Sequence, residues 1–64
     1  MSLSKYEARY AELTTAPIDA ERSEKLRALA IEIRRVAWSP HVQPVARELA
    51  NHCVKRANEY CGPL

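Results

Sequence analysis

Glycine is almost missing from this 64-residue chain, and phenylalanine is missing altogether. Gly62 is the one glycine and the third-last residue given, so no Gly-rich loop exists to cradle a phosphate, and nucleotide-binding folds built on such a loop are excluded. Long apolar runs are also missing. No stretch approaches the roughly 20 apolar residues that span a bilayer. Met1 to Arg9 is polar where a secretory leader would be apolar, and the expected location is the cytosol. Charge of one sign does not dominate: ten basic against eight acidic side chains leave +2, too little to mark a nucleic-acid or membrane-surface protein by itself.

Cysteine is scarce. Cys53 and Cys61 are eight residues apart, and within one helix that spacing separates them by about 12 Å along the axis, beyond the reach of an intrachain disulfide. A bridge between two chains is the remaining option if the pair lies at a contact. With 47% hydrophobic and 28% charged residues the composition is that of an ordinary globular domain, and the length allows only one. A chain this short buries only about 60% of the surface its unfolded form exposes.

Helical spacing fills the sequence and is broken twice, at Thr14-Thr15-Ala16-Pro17 and at Ser39-Pro40. The expected fold is therefore all-α, with helix 1 over about 4–15, helix 2 over about 19–38 and helix 3 over about 40–61. Ser4 and Glu7 have the spacing of a capping box, and Leu3, Tyr6, Tyr10 and Leu13 form one apolar side. Asp19 is a good N-cap, with Glu21 in the first turn where the helix dipole favours negative charge. Ser39 and Pro40 read as N-cap and first helical residue, and Gly62-Pro63 as the stop. Pro44 is discordant with that start. Either the first turn of helix 3 is irregular, or regular helix begins only near Pro44.

Projected at 100° per residue, Leu26, Leu29, Ala30, Ile33, Val36 and Ala37 share one face of helix 2. On helix 3 the face holds Val42, Val45, Ala46, Leu49, Ala50, Cys53, Ala57 and Tyr60. The short connection makes the two helices antiparallel neighbours. A core of Leu, Ile, Val and Ala is thin for such a chain, which favours a partner or self-association. Two arrangements satisfy this: a three-helix bundle, or a hairpin that dimerises into a four-helix bundle with helix 1 as an arm. Ala46, Ala50, Cys53, Val54, Ala57 and Cys61 are the candidate residues of an oligomer contact.

Ile31 with Trp38, and Val54 with Cys61, fall outside these faces. Arg27, Arg34 and Arg35 flank Ile31 and Trp38, and tryptophan with arginine is the composition of an interface hot spot. The plainer reading is that Trp38 folds over the turn between helices 2 and 3 and plugs the end of the bundle. Tyr6 and Tyr10, one turn apart, read first as packing residues and second as part of a docking surface.

The other chemistries fare less well. Arg22, Arg27, Arg34, Arg35, Arg47, Lys55 and Arg56 crowd the last two helices, and Asn51, Lys55 and Asn58 share an outer face of helix 3, as a DNA-reading helix would require. Against this, Glu21/Lys25, Glu24/Arg27 and Glu32/Arg35 have the spacing of ion pairs on a solvated face, and the turn holds prolines instead of the usual glycine. His41, Glu48, His52 and Glu59 project close together and are the best metal arrangement, but a second chain would have to complete it. No metal and no cofactor is expected. Cys53 reads as a small core residue, Cys61 sits where a helix dipole raises a thiol pKa, and nothing supplies an oxyanion site, so no catalysis is expected.

The expectation is a protein that binds a larger protein partner and acts as a regulator or inhibitor by covering one of its surfaces. Trp38, Ile31, Arg27, Arg34, Arg35, Tyr6 and Tyr10 are its candidate contacts. An analogy of size and architecture, not of motif, exists with the small helical regulators of phages and mobile elements. The alternatives are a small DNA-binding regulator and a structural subunit of a larger assembly.

Overall fold

A computed structural model describes residues 3–60. It is all-α, with α1 at Leu3–Leu13, α2 at Ala20–Arg35 and α3 at Gln43–Ala57. The helices α2 and α3 form a closely packed antiparallel hairpin, and α1 lies against it with a smaller contact. No helix among the described residues is long and apolar enough to cross a membrane.

Each helix is shorter than its hydrophobic pattern, for local reasons. The first opens at Leu3, which puts Ser4 inside the helix, and it closes two residues before the expected Thr15. Its last carbonyls are taken by threonines: Thr14 N–H and Oγ1 donate to Tyr10 O at 3.1 and 2.9 Å, and Thr15 Oγ1 donates to Glu12 O at 2.8 Å. Pro17 then prevents resumption. The last turn of α1 carries no basic residue of its own, and Arg22 of α2 supplies one, its Nη1 donating to Leu13 O at 3.0 Å.

Asp19 caps α2 as expected, its carboxylate accepting from Arg22 N–H at 2.8 Å from an extended backbone. The far end of α2 differs from the sequence reading: the helix stops at Arg35 and does not reach Trp38. Its cause is competition for one carbonyl. Ile33 O, which a continued helix would give to Ala37, accepts instead from the Trp38 indole Nε1 at 2.8 Å and from Val36 N–H at 3.3 Å. Val36 turns extended, and Ala37 is exposed instead of sharing the core face.

The start of α3 follows the later of the two expectations. Pro40, His41 and Val42 form a turn in which Val42 and Gln43 N–H both donate to Ser39 O, and regular helix begins at Gln43. Pro44 then stands in the first turn, where its missing N–H costs nothing. Val45 is 51% exposed, a correction to its place on the core face. At the other end α3 stops at Ala57, short of 61; Cys61 and the Gly62-Pro63 stop lie outside the described residues.

The core is Tyr6 from α1, Leu26, Leu29, Ala30 and Ile33 from α2, and Ala46, Leu49, Ala50, Cys53 and Ala57 from α3. Small side chains let the two long helices approach closely. The Ser23 hydroxyl, the one buried polar side chain among the described residues, crosses the gap and donates to Ala57 O at 2.9 Å. Ala46, Ala50, Cys53 and Ala57, four of the candidate residues of an oligomer contact, are thus covered within the chain itself. Burial pushes the Cys53 thiol up to about 11, which leaves it neutral and unsuited to nucleophilic work.

Candidate functional face of the hairpin

Two sides of the α2 and α3 pair are built differently. On one side lies α1, tied down by Arg9 to Glu32 at 3.7 Å, by Arg22 to the end of α1, and by the Tyr6 ring meeting Trp38 edge-on at 5.8 Å and 83°. Tyr10 lines a crevice there with His52, Lys55, Arg56 and Glu59. Among the described residues, the other side has no helix over it and is crossed by two side-chain rungs. Arg27 Nη2 donates to Asn58 Oδ1 at 2.7 Å, and Arg34 Nη2 donates to Asn51 Oδ1 at 3.1 Å.

The rungs share one antiparallel register. Arg27 and Arg34 are seven residues apart on α2, as are Asn51 and Asn58 on α3, so each pair sits on a single helix face two turns long. That register sets Ile31 opposite Val54 between the rungs. Ile31 is 54% exposed and Val54 half-buried, giving an apolar centre framed by two guanidinium groups and two amides. Beyond the Arg34 rung, toward the connection, a groove of about 570 Å³ opens. Its floor is apolar, from Ile33, Ala37, Trp38 and Ala46, and Arg34, Arg47, Gln43 and Asn51 edge it.

Several candidate contacts lie elsewhere. Trp38 is half-buried against the core, its indole N–H already engaged, so it forms the groove floor and does not join Ile31 in one exposed patch. Tyr6 is buried and Tyr10 half-buried, which makes both packing residues first. Arg35 faces the crevice between α1 and α2, with Lys5 and Arg9. Arg27 and Arg34 remain on the open face. Two expected ion pairs are replaced: Arg27 takes Asn58 where Glu24 was expected, and Glu32 takes Arg9 where Arg35 was expected. The Glu21/Lys25 pair forms at 2.9 Å.

The metal arrangement comes apart. His41 lies in the turn ahead of α3, Glu59 pairs with Arg56 at 2.7 Å, and only Glu48 and His52 face one another, at 3.9 Å. No group of three metal-ligating side chains comes together among the described residues. Sequence reasoning missed the pairing of Asn51 and Asn58 with the arginines and the place of Arg47 at the groove. The signal was present: a short turn makes the helices antiparallel, and two arginines seven apart then face two asparagines seven apart.

Comparison with protein-family models, with curated proteins and with solved structures finds no match.

Proposed function

We propose that this protein binds a larger protein through the open face of the α2 and α3 hairpin and regulates it by covering part of its surface. Ile31 carries the reading. A branched apolar side chain held half in water on a rigid two-helix face, framed by arginines whose forks are already positioned, has the anatomy of an interface centre with a polar rim. Burying the exposed half of that side chain contributes about 1 kcal/mol before any neighbour is counted. Nothing about the face supplies chemistry: it holds no nucleophile and no acid-base pair.

A second reading has one observation in its favour. Arg27, Arg34 and Arg47 form no ion pair among the described residues, and uncompensated arginines beside amides also suit a phosphate backbone. Photo-crosslinking separates the two. A benzophenone side chain at position 31, with position 21 as control, is expected to give a discrete adduct only from 31, resistant to nuclease and reconstituted with the purified partner once mass spectrometry names it. A nuclease-sensitive adduct would transfer the function to nucleic acid, and equal labelling from both positions would remove the face from consideration.

A further inference from the structure

The groove beside Trp38 differs from three other crevices of the described residues in having no carboxylate in its lining. The crevice between α1 and α2 contains Glu32, already paired with Arg9; the one at the start of α2 contains Glu12, Asp19 and Glu21; the one below Tyr10 contains Glu59, paired with Arg56. Each brings at least one carboxylate to its lining, although the first also holds Lys5 and Arg35 beyond the Arg9–Glu32 pair. The groove edged by Arg34 and Arg47 has none.

From this asymmetry we infer that the groove receives an acidic segment of the partner protein, with one apolar side chain of that segment resting on Trp38 and Ala37 and flanking carboxylates meeting Arg34 and Arg47. The inference rests on the protein-binding reading and names the chemistry of the partner. Arg34 spends one Nη2 contact on Asn51, and a guanidinium has five N–H donors, so its fork can still take a carboxylate side-on while Asn51 holds it in place. Gln43 and Asn51 add amide donors for backbone carbonyls. At about 570 Å³ the groove falls within the size of pockets that hold several side chains.

Two other occupants fit less well. A second copy would bring the same arginines against these, and like charges at close range oppose that contact. A phosphate backbone would satisfy the guanidinium groups yet leave the apolar floor and Ile31 uncovered, so the apolar half of the surface argues for a polypeptide.

Trp38 is the only tryptophan, so its emission reports directly on occupancy of this groove. The probe is a pool of acetylated hexapeptide amides with one Leu or Phe among Asp and Glu. Its controls are the same pool with Lys for the acids, the same pool with Gly for the anchor, and a duplex oligonucleotide. The acidic pool is expected to change the emission saturably, the Lys pool not at all, and loss of the anchor to weaken binding about tenfold. Arg34→Gln and Arg47→Gln, both at exposed positions, are each expected to weaken it about tenfold with helicity unchanged. Binding of the Lys pool, or no response to the acidic pool at about 10 mM, overturns the inference. If crosslinking from position 31 persists in that case, the protein-binding reading survives it. Saturable binding of the duplex alone overturns both.

Discussion

The two sides of the α2 and α3 hairpin solve the same problem by different means. Where α1 lies, the hairpin is sealed by aromatic rings and by opposite charges: Tyr6 against Trp38, Arg9 against Glu32. Opposite it, arginines that bridge the helices find neutral asparagines, so the rungs hold geometry without cancelling charge. A carboxylate in place of each asparagine would give a stronger pair and a neutral face. The difference lies in the bonds that join the helices: a charge-cancelling ion pair on one side, neutral rungs that leave the guanidinium charge in place on the other.

The contrast is best broken first on the sealed side. Trp38→Ala removes the ring contact with Tyr6 and the indole bond to Ile33 O, and is expected to lower stability by about 3 kcal/mol in chemical denaturation, with α1 becoming the first site of limited proteolysis. A loss below about 1 kcal/mol would mean that α1 is not held by this contact. Alkaline titration comes next. The Cys53 thiol is raised from 9.0 to about 11, so its neutral form is the one the fold favours. Stability from this group is full below pH 9 and falls between pH 9 and 11, and native Cys53 should resist a thiol reagent until the chain unfolds. Prompt labelling at neutral pH would contradict its burial.

Smaller losses follow at the polar joints. Asp19→Ala is expected to cost about 1 kcal/mol through loss of the cap on α2. Ser23→Ala should cost a similar amount, since Ala57 O then loses the hydroxyl donor at 2.9 Å. The smallest effect on stability is expected on the open side. Ile31→Asp should change stability by less than about 0.5 kcal/mol, while the unlabelled variant, unlike the unlabelled wild-type protein, fails to compete against formation of the adduct from the position-31 probe. If it unfolds the protein, Ile31 belongs to the core and the contrast between the two sides disappears.

Much of this fold is legible in the sequence, because its signals are local. Asp19 followed by Glu21 marks the start of α2, Glu21 and Lys25 pair across one turn, and the small residues of α3 foretell the close hairpin. The ends of helices are less legible. Periodicity runs through Val36 to Trp38, and only the fold-back of the indole onto Ile33 O shows why the helix stops sooner. Val45 precedes Ala46 by one residue, hence by about 100° around the helix, and the width of an apolar stripe does not reveal where burial ends. The Arg9 to Glu32 pair needed the orientation of α1, which no spacing encodes. For the open face the outcome is divided: that Arg27, Arg34 and Ile31 share one side of α2 is legible in the helical spacing, while Trp38 reads as either plug or contact and the structure places it in the groove floor.

The borrowed cap on α1 bears on the order in which the chain assembles. A helix whose final carbonyls rely on Arg22 gains that help only after Asp19 has nucleated α2, so α1 is the dependent element and the hairpin the independent one. Folding is then expected to condense around α2 and α3, with kinetic φ-values near zero along α1. In the native state, exchange of the α1 amides should report a sub-global opening that leaves the rungs of the opposite side in place.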